Sequence, residues 1–161
     1  MSFFTKWSCK IRFTCVRVSL WKIGLEVLRK RILVVEDSSD ARTLIKSLLS
    51  LEGFEVILAA DGREGLEKAS SESPDLIITD ISMPRLDGLS LIQLLRTMPQ
   101  FRTVPILAIT SFGAERATTA LRAGANRALT RPIHNELLVE FVNSLLGIEK
   151  EQSSTALGSA D

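Results

Sequence analysis

The chain has 161 residues, 45% of them hydrophobic, with 20 Lys and Arg against 19 Asp and Glu for a net charge of +1. This is the length of one domain with enough apolar content for an ordinary core, and the sequence holds no run of about 18 uncharged apolar residues that could form a transmembrane helix. The average charge hides an asymmetry: residues 1–31 hold eight Lys and Arg against one Glu, a net of +7, whereas residues 32–161 hold twelve against eighteen, a net of −6. The body therefore carries no basic footprint for nucleic acid.

Residues 1–30 interleave Lys and Arg with aromatic, cysteine and β-branched residues, and they contain both cysteines, Cys9 and Cys15, and both tryptophans, Trp7 and Trp21. Charges interrupt each apolar stretch, so the continuous core of a secretory signal is missing. With the sole histidine, His134, far along the chain, the two cysteines make a poor zinc site. This basic extension is expected to lie outside the core and to have no selected function; a surface-binding tail and an added structural element are the alternatives. A body free of cysteine fits a reducing compartment, and a cytoplasmic location without membrane attachment is expected.

From residue 31 the pattern alternates. Residues 32–35 are a short continuous apolar run and predict a buried strand. Ser38 or Ser39 can cap a helix to Leu51, with Leu44, Ile45, Leu48 and Leu49 on one stripe and Gly53 closing it. Residues 54–59 predict a second strand, Asp61 and Gly62 a turn, and residues 65–70 a short helix. Residues 76–79 predict a third strand, and residues 88–98 a helix with Asp87 as its N-cap. A fourth strand over 104–109, a helix over 114–122 ended by Gly124 and a short fifth strand over 126–130 follow. Pro132 is read as opening a last helix to Leu146, with His134 as an exposed residue near its start. The Ser- and Ala-rich tail, residues 148–161, reads as disordered.

The expected fold class is α/β: a flavodoxin-like (βα)₅ three-layer sandwich with a parallel five-stranded sheet over residues 31–147. The common strand order for five such units is 2-1-3-4-5, which puts a switch point between strands 1 and 3. Those two strands end in Glu36 and Asp37, and in Asp80. The topology thus gathers three carboxylates into one crevice, where they repel one another unless a cation joins them. Oxygen ligands suit Mg²⁺, and an Asp beside Mg²⁺ can act as a nucleophile toward phosphorus. Taken singly, each of these residues reads more simply: an Asp after a strand is often a cap or turn residue, and Thr110 alone is a β-branched strand end.

In combination and order the motifs resemble the receiver domain of two-component response regulators. Residues 32–38 (ILVVEDS) match its acidic pair after strand 1, and residues 80–88 (DISMPRLDG) its phosphoacceptor loop. Residues 108–111 (AITS) match its strand-4 hydroxyl motif, and residues 129–133 (LTRPI) its strand-5 basic-Pro motif. The resemblance implies that Asp80 accepts a phosphoryl group from a histidine kinase. It implies that Asp37 ligates Mg²⁺ directly, that Glu36 does so through water, and that Asp80 and the Ser82 backbone carbonyl complete the protein's share. Thr110 would bond a phosphoryl oxygen, and Pro84 and Gly88 would shape the loop. A stand-alone signalling protein is expected, monomeric or weakly dimeric, that catalyses at most its own phosphorylation and dephosphorylation. Its output would be binding of a downstream protein target or relay to a phosphotransfer protein.

Two positions depart from the family pattern. Arg131 stands where the family has Lys, and a planar guanidinium is not a compact ammonium. Ala128 stands where the family has an aromatic residue that moves inward on switching, which weakens the coupling of phosphorylation to the surface of helix 4, strand 5 and helix 5. Both favour the alternative of a phosphorylation-independent pseudo-receiver interaction module; Glu36, Asp37, Asp80 and Thr110 oppose it. Phe112 is expected to shield an acyl phosphate from water, and Asp40 and Arg42 to lie on a solvated helix face.

Overall fold

A computed structural model describes residues 29–148. Most of the expected N-terminal extension and C-terminal tail lies outside the described residues. The elements run β1 (Arg31–Val35), α1 (Ser39–Leu51), β2 (Glu55–Ala59), α2 (Gly62–Glu72), β3 (Leu76–Asp80), α3 (Gly88–Thr97), a 3₁₀ turn (Pro99–Phe101), β4 (Ile106–Thr110), α4 (Gly113–Ala123), β5 (Arg127–Thr130) and α5 (Asn135–Leu146). All four strand pairings are parallel and the order is β2-β1-β3-β4-β5, the expected doubly wound sheet. No described helix is long and apolar enough to cross a membrane.

The strands read as continuous apolar runs because both of their faces are covered. Successive side chains point to opposite faces, so Leu33, Val35 and Ile77 join a core layer with Leu91, Ile92 and Leu95 of α3 and Ala120 of α4. Ile32, Val34 and Ile78 join the other layer with Ile45 and Leu49 of α1 and Leu138 and Val142 of α5. Each such side chain contributes roughly 1.5–3 kcal/mol on burial, which fixes the strand register. That register aligns the C-terminal strand ends: Val35 faces Ala59 and Thr79, Asp80 faces Ile109, and Thr110 faces Thr130.

Caps behave as their residue types dictate. The Ser38 side chain accepts from the Ala41 amide, and the Asp87 side chain accepts from the Ser90 amide at 2.7 Å. Gly53, at φ +94°, ends α1 while the Phe54 amide donates to the Leu49 carbonyl at 3.1 Å, a closure that satisfies the last helix carbonyls.

Most element ends shift by one residue from the sequence expectations, and three elements depart by two residues or more. The turn at Asp61 is the N-cap of α2, its Oδ1 accepting from the Arg63 and Glu64 amides, so that helix starts at Gly62 and runs on to Glu72. The last helix starts at Asn135 rather than at Pro132: His134 is the N-cap position, its backbone extended and its carbonyl accepting from the Leu138 amide at 3.1 Å. β4 starts two residues later than the apolar run, at Ile106, because its first backbone amide pairs with the Asn126 side chain at 2.9 Å.

Asn126 is held in turn by Arg96 of α3. The Arg96 guanidinium donates to Asn126 Oδ1 and to the carbonyls of Phe101, Val104 and Gly124, at 2.5–3.0 Å. It ties α3 to the residues that lead into β4 and β5. Arg96→Ala leaves those acceptors without their donor. The expected loss is about 1–3 kcal/mol, read as a lower midpoint of urea unfolding.

Candidate functional site

The site forms where β1, β3, β4 and β5 end together. Past β1 the sheet continues for one more bond, from the Glu36 amide to the Ala59 carbonyl at 3.1 Å, and this turns the Glu36 side chain inward. Glu36 is only 3% exposed, Asp80 is 5% exposed and Thr110 is fully buried. Asp37, one residue on, is exposed at the rim.

The loop after Asp80 is drawn tightly back. The Ile81 amide continues the ladder to the Ile109 carbonyl at 2.9 Å, and the Gly88 amide closes the loop on the Ile81 carbonyl at 3.0 Å. A Cβ on Gly88 would lie 2.0 Å from the Asp80 carbonyl oxygen, so only glycine allows this approach. Within the loop the Ser82 amide donates to Asp80 Oδ2 at 2.8 Å. Arg85, at φ +69°, reaches Asp61 at the start of α2, with 2.5 Å between Nη2 and Oδ2, and anchors the outer side of the loop.

Arg131 joins the two buried carboxylates. Its amide donates to the Thr110 carbonyl at 2.8 Å, extending the β4–β5 ladder past the strand end. Its Nη2 contacts Glu36 Oε2 and lies 3.3 Å from Asp80 Oδ1. The other oxygen of Glu36, Oε1, accepts from the Ser38 amide at 3.3 Å. Each carboxylate thus has one oxygen on a backbone amide and the other on the same guanidinium nitrogen.

The predicted site residues Glu36, Asp80 and Arg131 therefore converge through contacts. Asp37, Ser82 and Thr110 border them from the same strand ends. Among the described residues no three acidic, His or Cys side chains stand as a preassembled metal cage. The donor chemistry is nonetheless that of a hard divalent cation, since carboxylates and a loop backbone carbonyl supply only oxygen. Glu36 and Asp80 are moreover buried anions that require a cation beside them.

Two expectations are corrected. Arg42 does not lie on a solvated face: its guanidinium turns back from α1 onto the Glu36 carbonyl and lies 3.4 Å from the Asp37 carbonyl, fixing the backbone of the acidic pair. The legible signal was its place one turn into the helix capped by Ser38, to whose carbonyl its amide donates at 2.9 Å. Phe112 is not a cover: it is 62% exposed, its ring lies 5.6 Å from the Arg116 guanidinium carbon, and only its amide faces the site, donating to Thr110 Oγ1 at 3.1 Å. At the aromatic-switch position Ala128 is half-buried opposite Ala108 in the sheet.

Similarity to known proteins shows the family. The model of the response regulator receiver domain family matches residues 32–143, and the chain belongs to that family. The chemotaxis protein CheY1 of Helicobacter pylori is 38% identical over 120 residues, 73% of this chain and 97% of that protein. The transcriptional regulatory protein PrrA of Mycobacterium bovis is 38% identical over 135 residues, 84% of this chain but only 56% of that longer relative. The chain thus spans about half of PrrA's length, while it covers nearly all of CheY1. The receiver domain of sensor histidine kinase PA1611 from Pseudomonas aeruginosa PAO1 has been solved with a magnesium ion coordinated in its active-site cleft. It superposes with a TM-score of 0.69 at 32% identity, over 74% of this chain and 98% of that one. This chain is a receiver domain of two-component signalling.

Burial, the largest influence, raises the Glu36 carboxyl above its ordinary value of 4.5; the Arg131 guanidinium opposes the rise, the Asp80 charge adds to it and the Ser38 amide lowers it. The unfolded chain releases this proton near 4.5, while the folded state keeps it to higher pH. The contribution to stability is therefore full below 4.5 and is lost as pH rises through the folded value. In metal-free buffer Glu36→Gln removes that loss. Urea unfolding is expected to show the variant gaining on the wild type as pH rises from 4.5, with the difference levelling above the folded value.

Proposed function

We propose that the domain is a phosphorylation switch in which Asp80 takes a phosphoryl group from a histidine kinase. The observation that carries this reading is the paired burial of Glu36 and Asp80 at one sheet end, joined through a cation and bordered by Asp37 and Thr110. Asp37, Asp80 and the Ser82 backbone carbonyl would hold Mg²⁺, with Glu36 supporting it through water. When bound, the ion supplies positive charge against the phosphoryl oxygens as charge develops on them.

The chain's own part is positioning. A carboxylate oxygen of Asp80 attacks phosphorus, an oxygen–phosphorus bond forms, and the bond from phosphorus to the kinase imidazole breaks. The Ser82 amide and the closed loop behind Gly88 hold the Asp80 carboxylate in one orientation for that attack. The Thr110 hydroxyl, at the end of the adjacent strand, donates to a phosphoryl oxygen of the product. Its oxygen already accepts from the Phe112 amide at 3.1 Å, so movement of Thr110 carries the start of α4 with it.

The modification adds roughly −1.5 to −2 charge and biases two arrangements of the β4–α4 loop, a population shift. The output is binding of a downstream protein or transfer of the phosphoryl group along a relay. With Ala128 inside the sheet rather than an aromatic ring, the signal leaves through the β4–α4 loop and not through an inward-moving ring.

Incubation with a small acyl phosphate donor and Mg²⁺, followed by intact mass, is expected to give one phosphoryl adduct. Asp80→Asn removes it, and so does chelation of the metal. If the wild type gives no adduct from either the small donor or a phosphorylated kinase, the phosphoacceptor reading fails. The domain is then a phosphorylation-independent interaction module whose Arg131 permanently neutralises its two carboxylates.

A further inference from the structure

We propose that the groove between α1 and α5 is the docking site for this chain's own basic segment, residues 1–28. The proposal concerns a face away from the phosphoacceptor chemistry and stands or falls without it.

The groove holds about 690 Å³ and is lined by Leu48 and Glu52 from the α1 side and, on α5, by residues that include Glu136, Val139, Glu140 and Asn143. Its floor is incomplete. Val139 is 4% exposed yet joins neither core layer among the described residues. Asn143 is 7% exposed, and its Nδ2 has no hydrogen-bond partner among the described residues. An amide donor that deep costs stability until an acceptor reaches it. Glu136 and Glu140 stand one turn apart on the exposed rim, and neither is ion-paired among the described residues. Like charges at that spacing weaken the helix that carries them. The fitting ligand supplies a carbonyl for Asn143, cations for the rim carboxylates and apolar side chains for Leu48 and Val139. A basic, partly apolar peptide has all three.

Residues 1–28 have that chemistry and the right point of attachment. They hold five Lys and Arg against one Glu, a net of +4, with Arg12, Arg17 and Lys22 set among apolar residues such as Phe13, Val18 and Trp21. The chain enters the fold at the foot of β1, where the Glu55 amide donates to the Lys30 carbonyl at 3.1 Å. Glu52, at the lower end of the groove, follows α1 directly and lies near that foot. The α5 side of the groove, from Asn135 to Ile148, is about 20 Å long at about 1.5 Å per residue. An extended chain spans that in about six residues at about 3.3 Å each. Other occupants have the wrong charge. Residues 149–161 hold one Lys against three acidic residues, a net of −2, and a second copy of the groove would set the same carboxylates rim against rim. A smaller cavity of about 140 Å³ shares Leu48 and Asn135 with the groove and extends it to Pro132 and Arg131. The seated segment thus leads from the foot of the sheet toward the edge of the carboxylate site.

The test uses the two cysteines, both of which lie in the segment. A nitroxide is placed on Cys15 of the full chain, with Cys9→Ser, and read by broadening of backbone amide resonances. Amides of residues 136–148 and of the last turn of α1 are expected to lose most of their intensity and to regain it when the nitroxide is reduced. A variant carrying both Glu136→Lys and Glu140→Lys, exposed changes that leave the core intact, is expected to lose this localised broadening, and raised salt is expected to weaken it. Broadening spread evenly over the surface, or centred on another face, overturns the proposal, as does broadening unchanged by the charge reversal. The wild-type measurement decides even if the variant does not fold. Nitroxide-bearing protein is also mixed with isotope-labelled protein that carries no nitroxide. Little groove broadening in that mixture supports docking within one chain, whereas broadening as strong as in the single chain makes a second copy's segment the occupant and overturns it.

Discussion

The site depends on two carboxylates buried side by side at the end of a parallel sheet. Glu36 and Asp80 are almost without solvent, and two like charges in such a place cannot both persist without a counter-charge. Arg131 provides it from the end of β5, while burial still keeps the Glu36 carboxyl above its ordinary value. At so buried a place any further charge acts with little screening by solvent. Exposed carboxylates on a loop would have been screened and far less sensitive.

The rest of the fold holds those groups in place. Alternate strand residues serve two separate core layers, so each strand is locked in register from both faces, and the strand ends coincide. The loop behind Asp80 is fixed by close packing: Gly88 lies against the Asp80 carbonyl, Gly62 lies so close to the Leu86 carbonyl that a Cβ there would be 2.4 Å away, and Arg85 reaches Asp61. By contrast, the β4–α4 loop carries exposed residues, and Phe112 at its end is held by one amide bond and by Arg116. Rigid support on one side of Asp80 and a lightly held loop on the other is the arrangement that lets a local charge change move one element and leave the sheet intact.

Much of the architecture was legible because its causes are local. Continuous apolar runs such as residues 32–35 and 76–79 identify buried parallel strands. Ser38, Asp87 and Gly53 cap their helices as their chemistry requires. Right-handed crossovers leave few topologies, and the observed order is the common one for five such units, which brings Glu36 to Asp80. Element ends were less legible where a distant partner set them. β4 starts at Ile106 because the Asn126 side chain takes its amide, with Arg96 holding Asn126 from another helix. α5 starts at Asn135, three residues after the proline, because the extended backbone of His134 makes it the cap.

The sequence by itself determined the fold class, the family and the set of acidic, hydroxyl and basic residues at the strand ends, since these follow from periodicity, caps and motif order. Only the tertiary structure decided how those residues face one another. No spacing rule tells that Arg131 spans Glu36 and Asp80, that Arg42 folds back onto the carbonyls of the acidic pair, or that the Phe112 ring lies outward against Arg116. Long charged and aromatic side chains have many rotamers of similar energy on an isolated element. Which one is occupied is set by where buried charge and unpaired oxygen happen to lie across the sheet.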